Sequence, residues 1–198
     1  MSNERLDKQI EFCREIDKEK FIKRQTYLTD GIHKENDAEH VWHMAIMTVL
    51  LSEYANENID ILKTVIMLLI HDIVEIDAGD TYAYDSEAVK TQREREVKAA
   101  ERIFGILPQD QAEKFKNLWE EFEQGETPEA KFAHTMDNFQ PVMLNSATDG
   151  KAWAEHKVLL SQILGRNKNT ADGSQVLWDY SRDNFIMPNV EKGRIENR

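Results

Sequence analysis

A chain of 198 residues with 25 Lys and Arg against 37 Asp and Glu carries a formal charge of −12 at pH 7. Its length fits one domain of about 100–200 residues, and its 40% hydrophobic and 31% charged content reads as globular rather than disordered. The acidic excess argues against a nucleic-acid polymer, which rewards a basic stripe, and against docking on anionic lipid.

The opening stretch, MSNERLDKQIEF, is charged throughout and lacks the apolar core of a signal peptide. Leu6, Ile10, Cys13 and Ile16 recur at helical spacing, which predicts an amphipathic helix over 4–18. Cys13 is the lone cysteine, so no intrachain disulfide forms and a reducing, cytoplasmic location is expected. Residues 19–36 are polar and irregular, with Asp30-Gly31 marking a turn. Asn36 and Asp37 are candidate N-caps, and Glu39 stands where a capping box needs an acid. The helix that follows, roughly 38–56, is apolar nearly all round and is expected in the core.

Asp60 opens a second apolar helix that ends near Gly79. Its uninterrupted apolar run, 65–70, is far short of the ~20 residues a membrane span needs. Asp85 or Ser86 is expected to cap a charged helix over about 86–104, closed by Gly105. Pro108 and Pro128 suit first helical positions, giving helices near 108–123 and 128–147, with Pro141 bending or breaking the second. Helices over 152–164 and 175–186 complete the set, ending at Gly165 and at Met187-Pro188. No stretch alternates convincingly for a strand, so the expected fold is an all-α, single-domain bundle over 1–198.

His71-Asp72 stands at the end of the most apolar helix, where an unpaired carboxylate costs several kcal/mol. Glu75 shares its face, and Asp77 and Asp80 follow within two turns. Like charges at this density need a counter-charge, and a divalent cation supplies one. Further ligands are available from His40 on the preceding core helix and from Asp137, set between Met136 and Phe139. Two imidazoles and two carboxylates suit Mn, Fe, Co, Ni or Zn, and Mg less well. Blander readings stand beside this one. A His-Asp dipeptide alone occurs by chance, His43 reads as a satisfied core or supporting histidine, His134 and Asp137 could share a helix-face hydrogen bond, and His156 looks like a surface residue.

The ordered set His40, His71-Asp72 and Asp137 resembles the H…HD…D signature of HD-domain metal-dependent phosphohydrolases. The stretches RQTYLTDG (24–31), ENDAEHVWHMA (35–45), MLLIHDIVEIDAGDTYAYD (67–85), EAKFAHTMDNFQP (129–141), GKAWAEH (150–156) and GSQVLWDY (173–180) are similar to its 5′-deoxynucleotidase branch, over about residues 21–185. That resemblance implies an HD-type helical bundle, with one divalent metal held by His40, His71, Asp72 and Asp137. It further implies Glu75 as the acid that handles the attacking water and the leaving oxygen, and Asp80 facing the sugar hydroxyls. Arg24 would clamp phosphate and Tyr27 would stack on a base, with His33 and Lys34 nearby. Relatives often carry arginine at the position of His33, so phosphate contact there would be weaker and pH-dependent. The implied activity is release of phosphate from deoxynucleoside 5′-monophosphates by a homodimer. Other phosphate esters (guanosine tetraphosphate, a cyclic nucleotide) and a non-catalytic nucleotide- or metal-sensing dimer are the alternatives. A diiron oxygenase would want more ligands than the sequence places.

Overall fold

The computed structural model describes residues 3–81 and 89–197. Helix α1 (Glu4–Glu15) passes into a 3₁₀ turn over Ile16–Phe21, and a two-stranded antiparallel hairpin follows, β1 (Lys23–Tyr27) with β2 (Lys34–Asn36). Lys23 pairs with Asn36 and Tyr27 with Lys34, with an irregularity between. The hairpin was not expected, because KRQTY and KEN are short and polar and show no apolar alternation for a strand pattern to register. Its tip turns on Asp30, whose carboxylate accepts from the backbone of Ile32 and His33, and on Gly31 at φ +65°.

The capping box then starts α2 (Asp37–Leu51). Asn36 Oδ1 accepts from the Glu39 N–H at 2.9 Å, and Glu39 Oε2 accepts from the Asn36 N–H at 3.0 Å. One expectation for α2 is corrected. Its inner face (His40, Val41, Met44, Met47) is buried, but Trp42, Ile46, Val49 and Leu50 point outward at 49–66% exposure. An apolar stripe all round the helix had left no polar side from which to tell outside from inside.

Asp60 caps α3 (Ile61–Ile70) through the Lys63 N–H. The chain then tightens into a 3₁₀ turn over His71–Val74 and resumes as α4 (Glu75–Ala78), stopped by Gly79 at φ +75°. Helix α5 (Val89–Phe104) ends before Gly105 as expected; its proposed caps, Asp85 and Ser86, lie outside the described residues. Helix α6 (Gln109–Gln124) starts just after Pro108, and α7 (Pro128–Ala147) has Thr127 as its cap and Pro128 in its first turn. Pro141 does not break α7, which runs through it. It deprives the Asp137 carbonyl of its intrahelical donor.

The expected helix over 152–164 is divided into α8 (Lys151–Glu155) and α9 (Leu160–Arg166) around Lys157 at φ +50°. Then come α10 (Thr170–Gly173) and α11 (Gln175–Ser181). A π turn over Arg182–Ile186 and α12 (Met187–Glu191) carry the chain past Pro188, which opens a turn instead of ending one. Two apolar clusters frame the middle of the molecule. Ile70, Ile73, Val74, Ile103 and Phe104 pack on the α5–α6 side, and Met44, Leu68, Phe132, Met136 and Phe139 lie between α2, α3 and α7. Each such side chain stabilises the fold by about 1.5–3 kcal/mol. Together they hold the ends of α2, α3 and the middle of α7 in fixed register. The polar centre lies where those three meet.

Candidate metal centre

Four side chains from three elements converge. His40 comes from the first turn of α2, His71 and Asp72 from the 3₁₀ turn after α3, and Asp137 from the middle of α7. Ligand atoms of His40, His71 and Asp72 all lie within 4.8 Å of one another. Asp137 Oδ1 stands 3.2 Å from His40 Nε2 and 3.8 Å from His71 Nε2, and Asp72 Oδ1 is 3.0 Å from His71 Nε2. All four residues are buried. The structure therefore brings together the set that the sequence proposed.

The orientation of both imidazoles is set from outside the cluster. His71 Nδ1 donates to the Leu68 carbonyl at 2.8 Å, so Nε2 faces the carboxylates, buried and without an aligned hydrogen bond. His40 Nδ1 donates to Gln140 Oε1 at 2.9 Å. Gln140 is held that way round by Glu35, an acceptor-only carboxylate that takes the Gln140 amide N–H at 2.5 Å. Two imidazole lone pairs and two carboxylates aimed at one point fit a divalent cation of the borderline kind. Glu35→Gln should free the Gln140 amide to flip and lower Zn²⁺ affinity by about tenfold or more. It should also remove the single His40 Nδ1–H resonance from the ¹⁵N spectrum of the Zn²⁺-loaded protein. Unchanged affinity and spectrum would remove Glu35 from this role.

Charge is concentrated around the cluster. Arg24, at the start of the hairpin, is half-buried; its Nη1 donates to Asp72 Oδ2 at 2.9 Å and to Asp37 Oδ1 at 3.3 Å. Burial raises Glu75 well above the usual carboxylate range, and Asp72 and Asp37 raise it further. Burial likewise lifts Asp80, with Arg24 opposing. For His71, burial opposes the charged form, but Asp72 and Asp137 together raise its pKa well above the ordinary value. A proton and a cation thus compete for this centre.

Stability should reflect this. Burial pushes Glu19 and Glu123 up to about 7 and Asp37 to about 8. Groups raised in the folded state add stability at acid pH that is lost as pH climbs through the folded value. Asp72, which His71 helps hold down to about 2 against its burial, acts in the opposite sense and only in strong acid. The metal-free protein should therefore melt at falling temperature from pH 5.5 to 8, and the gain on adding metal should grow over the same window. A metal-free melting temperature that rises across this window would contradict the account.

The centre opens on a cavity of about 610 Å³, within the range of small-molecule sites. Arg24, His71, Asp72, Glu75, Asp80 and Asp137 line it. Three proposed substrate contacts are not brought to its wall. The Tyr27 hydroxyl is held by Glu155 at 3.0 Å with Lys151 over its ring, Lys34 Nζ donates to Gln25, and His33 is exposed on Asp30 at the hairpin tip. Asp77 also stands apart from the cluster, as a surface partner of Arg102. His134 does not bond Asp137; its Nε2 donates to the Phe122 carbonyl at 2.7 Å. His43 accepts from Gln140 at 3.2 Å, and His156 is exposed, as the plainer readings had it. Sequence reasoning missed Glu35, Gln140 and Arg166. Gln140, one turn after Asp137 on α7, could have been found from helical spacing, whereas the other two reach the site from a strand and a distant helix end.

Comparison with known proteins agrees with this geometry. The family model described as "HD domain" matches residues 16–178. A crystal structure of a "predicted metal-dependent phosphohydrolase" from Magnetospirillum magnetotacticum MS-1 is 46% identical, with a TM-score of 0.92 over 97% of this chain and 96% of that one. Among sequence relatives, the 5′-deoxynucleotidase HDDC2 of Homo sapiens is 26% identical over 149 residues, 75% of this chain and 70% of its own length. The chain spans 64% of the length of the Bos taurus protein of that name, again at 26% identity. The 5′-deoxynucleotidase hdd1 of Schizosaccharomyces pombe is 30% identical over 60% of this chain and 61% of its own.

Proposed function

The chain belongs to the HD-domain family, and from that premise we propose that it is a metal-dependent phosphohydrolase releasing phosphate from deoxynucleoside 5′-monophosphates. The observation that carries this reading is the convergence of His40, His71, Asp72 and Asp137 at the edge of a cavity that the last three line, with Glu75 buried beside them and its Oε2 unpartnered. The four residues would hold one divalent cation, Mn, Co, Fe, Ni, Zn or Mg. When bound, such a cation lowers the pKa of a water and neutralises phosphoryl oxygens.

The chain's own groups would do the rest. Glu75 takes the proton of the attacking water and returns one to the departing 5′ oxygen as the P–O bond breaks, leaving inorganic phosphate and a nucleoside. Burial raises its pKa above the usual carboxylate range, so it holds a proton more readily than an exposed carboxylate, as an acid for the leaving oxygen must. Asp80, at the cavity edge, would accept from the sugar hydroxyls. Arg24 would hold Asp72 in place and face the phosphate from the hairpin side. Tyr27, His33 and Lys34 would meet only a part of the substrate that projects past the cavity. The relatives named as 5′-deoxynucleotidases support the substrate class.

An unpartnered buried acid beside the ligands favours an enzyme over a sensor, which has no use for it. The exposed apolar face of α2, formed by Trp42, Ile46 and Leu50, supports a homodimer. Among the described residues no helix is long and apolar enough to cross a membrane, and the free thiol of Cys13 fits a cytoplasmic location. A phosphate-release screen over ribo- and deoxynucleoside monophosphates with several divalent metals tests the reading. Release confined to guanosine tetraphosphate or cyclic nucleotides would replace the substrate assignment.

A further inference from the structure

An anion entering this cavity meets a wall dominated by carboxylates, among them Asp72, Glu75, Glu96, Glu123 and Asp137. The cations of the lining are Arg24, Lys131, Arg166 and Lys168. Arg24 is already engaged. Its Nη1 contacts Asp72 and Asp37, Glu35 Oε2 lies 3.7 Å from its Nε, and its side chain is 14% exposed. Three carboxylates surround one guanidinium, so little of its charge is left for a ligand.

Arg166 stands differently. It is the last residue of α9, its side chain is 48% exposed, and its Nη2 donates to Asp137 Oδ2 at 3.2 Å. The other oxygen of that same carboxylate faces His40 and His71. The guanidinium is therefore one carboxylate away from the point where the ligands converge. It presents five N–H donors in a fork that matches phosphate oxygens, and the bond to Asp137 occupies one of them. Its position is fixed from behind. The next residue, Asn167, is buried and its side-chain amide donates to the Ile163 carbonyl at 2.9 Å, pinning the end of α9.

We propose that Arg166 is a substrate-binding residue that grips the phosphate group of the ligand while it remains bonded to Asp137. This rests on the phosphohydrolase reading and adds a contact from the C-terminal part of the chain, opposite the hairpin. A purely structural role, bracing Asp137, predicts a different outcome, and the two separate in binding measurements that need no turnover.

Inorganic phosphate is titrated into the full chain at saturating Mn²⁺, and Mn²⁺ is titrated separately. Arg166→Gln should weaken phosphate binding at saturating Mn²⁺ by about 10- to 100-fold, while Mn²⁺ affinity changes less because Asp137 loses one hydrogen bond and keeps its charge, with Arg166→Lys intermediate. If Arg166→Gln weakens Mn²⁺ binding and leaves phosphate binding at saturating Mn²⁺ as in the wild type, Arg166 is only a brace and the proposal is overturned. It is equally overturned if the Mn²⁺-loaded wild type binds no phosphate. Phosphate binding that depends on Arg166, in a protein that hydrolyses no nucleoside monophosphate, would sink the substrate assignment and leave this contact standing.

Discussion

Asp72→Asn should lower metal-supported phosphate release by at least about 10³-fold, equivalent to about 4 kcal/mol of transition-state stabilisation. Asp72 serves two neighbours at once, since Oδ1 faces His71 Nε2 at 3.0 Å and Oδ2 accepts from Arg24 at 2.9 Å. Asparagine preserves the volume and still accepts from Arg24 through its amide oxygen. It removes the negative charge that a cation needs and that raises the His71 pKa in its absence. Both losses are measurable: Co²⁺ titration should show weakened binding, and the His71 pKa should fall toward its ordinary value. The choice of asparagine keeps a counter-dipole for half-buried Arg24, because a side chain that leaves such a charge unpaired destabilises the fold and confuses folding with function. A variant with activity within tenfold of wild type would remove Asp72 from the site.

Glu75→Gln is the second large effect. The variant should lose about 10²- to 10⁴-fold in kcat with KM and metal affinity little changed. Glutamine fills the same space and keeps one acceptor, but it cannot carry a proton to and fro. The alternative is that Glu75 is merely a buried acid tolerated by the fold. In that case the same substitution would leave the rate intact. Stability separates the two readings from misfolding. A carboxyl whose folded pKa is raised loses its contribution to stability as pH rises through that value. Glu75→Gln should therefore melt at or above the wild-type temperature at pH 8. A lost rate in a protein no less stable assigns Glu75 to the chemistry.

The centre was legible where polar residues interrupt apolar helices. His40, His71, Asp72 and Asp137 each stand among residues that belong inside, and such residues need a partner or a cation. The capping box at Asn36–Glu39 and the start of α7 were legible for the same local reason, a side chain placed one turn from the group it satisfies. What escaped depends on long-range packing. The hairpin that carries Arg24 is held by turn and ladder bonds between polar residues, and its strands have no apolar alternation. The outward face of α2 looked like core because Trp42, Ile46 and Leu50 are apolar, and burial is a property of the neighbours rather than of the residue. Tyr27 and Lys34 were placed by proximity in sequence to Arg24, but alternation along β1 and contacts to Glu155 and Gln25 turn them elsewhere. Glu35 orients a histidine through a glutamine that lies a hundred residues away. No spacing rule reaches that far.

The opening charge balance now has a more local meaning. Part of the acidic excess converges on one cation site, where Arg24 and Arg166 counter Asp72 and Asp137. The rest remains a surface that repels long polyanions. The most direct test is phosphate release from deoxynucleoside 5′-monophosphates by metal-stripped protein as Mn²⁺ or Co²⁺ is added back. The account predicts no release from the stripped chain, a linear rise with added metal, and saturation at one equivalent per chain. Release that is indifferent to stripping, or none at any metal content, would contradict it.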